Sequence, residues 1–128
     1  MTPRLLGIDP SARILAALRN VLPDVPIGFD MPTGARRLFL TLAAGAYPTP
    51  VTQRWTLTMS AYSTTPASIL DHTDAQSMWL TAARALLAAR RRHPLCDVEV
   101  QAGPITTHDT TLDTDYVYGS LMLTCVAQ

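Results

Sequence analysis

The ten residues from Gln53 to Tyr62, Q-R-W-T-L-T-M-S-A-Y, constrain this chain more than any other stretch. Trp55, Leu57, Met59 and Ala61 alternate with Arg54, Thr56, Thr58 and Ser60, and successive side chains of a strand point to opposite faces. The segment reads as a strand with one apolar face and one wetter face, and the apolar face has to be covered by a second layer. That layer must come from a chain of 128 residues, the size of one domain, whose 48% hydrophobic content suffices for one core. A single domain over residues 1–128 is expected.

Two segments read as helices that do the covering. Asp9 is placed as an N-cap with Pro10 at the first helical position, where its missing N–H costs nothing. Ile14, Leu18, Val21 and Leu22 then share one face, and Pro23 forbids continuation. A second helix is predicted from about Asp74 to Arg92, capped by Asp71 or Thr73, with Ala75, Met78, Trp79, Ala82, Leu86 and Ala89 on its inner stripe. Arg90, Arg91 and Arg92 fall in its last turn, where cations complement the negative end of the helix dipole, and Pro94 closes it.

The rest is strand and turn. Val25, Ile27 and Phe29 alternate as a short strand that Pro26 assigns to a sheet edge. Residues 36–43 form another, with Leu38, Leu40 and Leu42 on one face and Phe39 on the other. Gly45 to Pro50 is a loop, since two prolines remove donors. Asp97–Gly103 and Tyr116–Val126 read as an antiparallel hairpin joined by a polar connection, its tip spanning Thr106 to Asp115. The expected fold is α+β: a mixed, mainly antiparallel sheet of about five strands with two helices packed on one face.

Little in the sequence suggests reaction chemistry. Ten acidic residues balance ten basic ones, so no net field draws the chain to nucleic acid or an anionic membrane. No stretch approaches the length of a membrane span and no leader pattern opens the chain, so a soluble, unsecreted protein is expected. Cys96 and Cys125 lack C-x-x-C spacing and read as reduced core residues. His72, His93 and His108 are not at metal-ligand spacing, and no glycine-rich phosphate loop is present, so no metal, cofactor or nucleotide is expected. Asp71-His72 and His108-Asp109 are sequence neighbours in polar contexts, where surface or capping roles outweigh a catalytic dyad. No catalytic residue is assigned, and Trp55 and Trp79 are read as core.

The order of pieces resembles the tail-terminator, or tail-completion, proteins of long-tailed bacteriophages. The resemblance runs from Ser11 to Val126 and is one of layout: an N-terminal helix before D24-V-P-I-G-F-D30, the strand R36-R-L-F-L-T-L42 and a proline-bearing loop, then R54-W-T-L-T-M-S60, an alanine-rich helix from Ala75, the G103-P-I-T turn and the closing strand Y118-G-S-L-M-L-T-C-V126. The tip with His108-Asp109 and several threonines departs from the family's proline- and glycine-rich habit. The resemblance implies a homo-oligomeric ring, expected to be hexameric, on the head-proximal end of the tail tube. It would stop tube polymerisation and offer a joint to the head connector.

Partners implied are further copies of the chain, the major tail tube protein and the head–tail connector or stopper, in the virion after assembly in the bacterial cytoplasm; no membrane and no specific nucleic acid are expected. The segments expected to reach neighbours are the Gly45–Thr52 loop, with Tyr47, and the tip, with His108, Asp109, Asp113 and Asp115. Arg36, Arg37 and Arg54 carry the complementary charge and are candidates to pair with those aspartates on an adjacent subunit. Three other readings stay open: a head–tail connector or stopper of similar size; a small-molecule-binding or enzymatic α+β domain with a pocket between the Trp55 strand and the Trp79 helix and His72 at its rim; and, third, a nucleic-acid module using Arg36, Arg37 and Arg54 beside Trp55 and Tyr62.

Overall fold

The computed structural model describes residues 5–67 and 69–128, in the order α1 (Ser11–Val21), β1 (Ile27–Gly28), β2 (Arg36–Ala44), β3 (Thr52–Ser63), α2 (His72–Ala88), β4 (Leu95–Asp109) and β5 (Thr114–Val126). The first four residues, where the reading for a leader begins, and Ser68 lie outside that description. The strands form one sheet in the order β1-β2-β3-β5-β4. The alternating strand β3 sits in the middle, antiparallel to β2 and β5. Leu57, for example, faces Leu42 on one side and Leu121 on the other. β4 pairs antiparallel with β5, and β1 parallel with β2 at the opposite edge. An edge is where Pro26 can be accommodated, and its carbonyl accepts the Leu38 N–H at 2.9 Å.

Both helices lie on one face, as expected. α2 contacts β2 to β5, while α1 packs on α2 and β1. The stripe read from the sequence is the buried one: Ala75, Met78, Trp79, Ala82, Leu86 and Ala89 all point into the core. They meet Leu38, Leu40, Leu57, Met59, Val117, Leu121 and Leu123 from the sheet, with Ile14 and Leu18 from α1. Large aliphatic side chains buried this fully each contribute about 1.5–3 kcal/mol.

Several boundaries differ from the sequence expectation, each for a physical reason. Pro10 itself occupies the cap position of α1, and Asp9 acts one residue earlier, its Oδ1 accepting the Ser11 N–H at 2.8 Å and the Ser11 hydroxyl at 2.5 Å. α2 starts at its Asp71 cap, which accepts the Asp74 N–H, but stops at Ala88. No apolar stripe residue follows Ala89 to hold further turns on the sheet, so Arg90, Arg91 and Arg92 lie past the helix rather than in its last turn.

The hairpin departs most. The threonine-rich segment predicted as a loose connection continues β4: Ile105 faces Tyr118, Thr106 faces Val117 and His108 faces Asp115, leaving a turn at 110–113. The register irregularity between Ala102 and Ile105 absorbs the Gly103-Pro104 interruption instead of ending the strand, and two more lie at Val100/Ala102 and Leu95/Asp97. Gly103 has φ +85, and a Cβ there would lie 2.7 Å from the Tyr118 carbonyl oxygen, so the close approach of β4 to β5 requires glycine.

Both cysteines are free thiols. Cys125 is core, and burial, with a smaller contribution from nearby Cys96, pushes its thiol pKa up to about 12. Cys96 is only half-buried, in the irregularity between Leu95 and Asp97.

Candidate functional site

The β4–β5 ribbon outruns the helix layer. On the helix-facing side of β4, Leu95 and Val98 are buried, but Val100 is 45% exposed and Thr106 is also exposed. Beyond Val100 the outer strand is therefore uncovered on the face that the helices protect elsewhere, and its far edge has no partner strand in the sheet. Such an arm carries unpaired backbone groups and exposed side chains available to another molecule.

Local hydrogen bonds shape the tip of this arm. Asp109 Oδ1 accepts the N–H groups of Thr111 at 2.9 Å and Leu112 at 3.1 Å, which closes the turn. Its Oδ2 accepts the Tyr62 hydroxyl at 3.0 Å. Backbone hydrogen bonding, above all from Leu112, holds the Asp109 carboxyl below its ordinary pKa. His108 Nδ1 lies 2.9 Å from Asp115 Oδ1, its cross-strand partner, and Nε2 lies 3.3 Å from Asp113 Oδ1. With a carboxylate at each ring nitrogen the imidazolium is favoured, and the hydrogen bond to Asp115 is the largest cause of the raised His108 pKa.

Because the folded value is raised, the proton on His108 stabilises the tip below the unfolded pKa, and this contribution is lost as pH rises through the folded pKa. An NMR titration is expected to place the His108 midpoint above the ordinary histidine value, and Asp115→Asn to bring it down. A midpoint unmoved by Asp115→Asn would contradict the pairing.

An aromatic strip runs from the tip along the face away from the helices. Tyr62 stacks on Tyr116 at 4.8 Å between ring centroids, Tyr116 meets Tyr118 at 5.9 Å, and Arg37 lies over the Tyr62 ring at 4.6 Å. Tyr62 is thereby only 2% exposed on a sheet face that has no helix layer. Burial, and then the hydrogen bond to Asp109, push its hydroxyl well above the usual tyrosine range. The wetter face expected of β3 is thus wet only in part: Arg54 is exposed, whereas Ser60 and Tyr62 are buried. Sequence reasoning passed over this strip, although Tyr116-Val117-Tyr118 on a strand puts both rings on one face.

The eight residues singled out from the sequence do not form one cluster. His108, Asp109, Asp113 and Asp115 come together at the tip, and Arg37 joins them indirectly, since Tyr62 lies between its guanidinium and Asp109. Arg37 Nη1 also donates to the Gly34 carbonyl, and its buried Nε has no partner among the described residues. Arg36 is engaged within its own chain, donating through Nε at 2.8 Å and Nη2 at 3.1 Å to the two carboxylate oxygens of Asp74, which also accepts the Ser63 hydroxyl at 2.6 Å. Burial raises the Asp74 pKa, but the bonds from Arg36 and Ser63 outweigh it and hold the carboxyl below its ordinary value. This clamp joins the start of β2 to the first turn of α2. Tyr47 is half-buried, its hydroxyl accepting the Gly7 N–H at 3.4 Å, and Arg54 stands apart in the opposite half of β3.

The described residues contain no group of three His, Cys, Asp or Glu placed to hold a metal ion. None of their helices is long and apolar enough to cross a membrane. His72 is exposed at the start of α2 and His93 in the turn that precedes β4. The space between β3 and α2 is filled by Trp79, whose Nε1 donates to the Met59 carbonyl at 3.1 Å. Trp55 faces a cleft of about 430 Å³ with Asp9, Ser11 and Phe29, which His72 does not line. No protein-family model matches this chain, and no curated protein matches it by sequence.

Proposed function

We propose that this chain is a tail terminator of a long-tailed bacteriophage. Its copies form a ring, expected to be hexameric, on the head-proximal end of the tail tube, and the ring blocks further addition of tube protein while offering a surface to the head connector or stopper. The protein acts by binding in the virion, as a structural subunit rather than an enzyme and without a cofactor. The observation that carries this reading is the projecting β4–β5 arm, uncovered along β4 beyond Val100 and closed by a hydrogen-bonded acidic turn. A preformed arm of this kind gains burial only by contact with another molecule, which is what a ring subunit and cap require. The layout from the first helix to the closing strand, with the resemblance it bears, supplies the identity of that contact.

Deleting the coding sequence from the phage genome is expected to give tails that overgrow and carry no heads. Tails of normal length that merely fail to join heads would assign the chain to the connector side. Normal virions would remove both roles.

A further inference from the structure

The basic residues of this neutral chain gather on its helix layer. Six of its ten basic residues, Arg13, Arg19, Arg84, Arg90, Arg91 and Arg92, lie on the helices or just past α2. Among the described residues, no carboxylate is within ion-pair distance of any of them. Between α1 and α2 runs a groove of about 420 Å³, floored by alanines, including exposed Ala16 and Ala88, and flanked by Arg13, Asn20 and Arg92. The tip of the hairpin has the opposite character: Asp109, Asp113 and Asp115 outnumber His108, which Asp113 and Asp115 share, so the turn stays net negative around Leu112, which is 43% exposed.

These two surfaces cannot meet within one molecule. The groove includes Arg92, just before β4 begins at Leu95, whereas the tip follows the far end of β4 at Asp109. Fifteen residues of strand, at about 3.3 Å each with some length lost to irregularities, set those ends roughly 40 Å apart. Complementary surfaces at opposite ends of one chain make a head-to-tail contact, the kind that closes into a ring when the rotation between copies permits.

We propose that the occupant of the groove is the hairpin tip of a second copy of this chain, with Leu112 seated on the alanine floor and Asp113 and Asp115 against Arg13 and Arg92. This rests on the ring reading above for its biological setting, but the contact is testable without a tail tube. It also moves the arginine partners of the tip from Arg36, whose charge Asp74 already neutralises, to the helix layer, where Arg13 donates through Nε to the His93 carbonyl at 2.9 Å but has no carboxylate partner among the described residues.

The test is a disulfide crosslink between two separately labelled chains, one Ala88→Cys and the other Leu112→Cys, both on a Cys96→Ser background, under mild oxidation. The expected result is a specific heterodimer, with a yield on the order of tenfold lower when the first chain also carries Arg92→Glu, and recovery when the second chain then carries Asp113→Arg. A Thr58→Cys chain, labelled on the other sheet face, serves as the random-collision control. A yield no higher than that control overturns the proposal, as does a yield indifferent to Arg92→Glu. Specific crosslinking by a protein that leaves tube growth unaltered would sink the terminator reading while the contact stands. Tube capping without the crosslink would do the reverse.

Discussion

Trp79→Ala is expected to cost about 3–5 kcal/mol of folding stability, the range for removing a fully buried large aromatic. Trp79 is 1% exposed at the centre of the joint between α2 and the sheet. Its ring lies beside Gly119 of β5, and its Nε1 donates to the Met59 carbonyl of β3 at 3.1 Å. Truncation therefore removes apolar burial, leaves a cavity and deletes a buried hydrogen bond at once. Small domains have only about 5–15 kcal/mol in total, so this one change removes a large share of the stability. Trp79→Phe keeps most of the burial and should lose distinctly less. Denaturant midpoints followed by circular dichroism check both, and a loss under about 1 kcal/mol for Trp79→Ala would show that this joint does not hold the two layers together.

Gly119→Ala should destabilise by about 1–3 kcal/mol, although it adds a single methyl group. A Cβ at position 119 would lie 2.5 Å from Trp79 Cζ2 and 2.6 Å from the Ala102 carbonyl oxygen. One obstacle is a packed ring and the other is backbone of β4, so relief requires moving the helix off the sheet and parting β4 from β5. Combining Gly119→Ala with Trp79→Phe should give only partial rescue, because the smaller ring relieves one contact and the Ala102 carbonyl remains. Full additivity of the two losses would indicate that Trp79 and Gly119 do not share a contact.

The sequence made the architecture readable where the side-chain period was uninterrupted. The alternation from Gln53 to Tyr62 located the central strand, and the stripe from Ala75 to Ala89 located the helix that covers it. Legibility failed where tertiary pairing overrides local composition. Thr106, Thr107 and His108 read as loop because polar residues flank a glycine–proline step, yet pairing to the strongly patterned Tyr116–Val126 strand draws them into β4. Arg90 to Arg92 suit a helix end by propensity but have no core residue among them to extend α2.

The candidate site divides in the same way. Clustering of His108, Asp109, Asp113 and Asp115 follows from their nearness in sequence once the chain turns between them. The Arg36–Asp74 clamp and the stacking of Tyr62 on Tyr116 join residues dozens of positions apart. Those contacts depend on strand register and helix placement, which residue types alone do not specify.

The most direct test of the central claim is to add the purified protein to the tail tube protein of the same phage during polymerisation and measure tube lengths by negative-stain electron microscopy. The account predicts short tubes with a ring of extra density at one end, and tube length falling as the ratio of added protein to tube protein rises. Bare-ended tubes, with the same length distribution as in the absence of the protein, would contradict it.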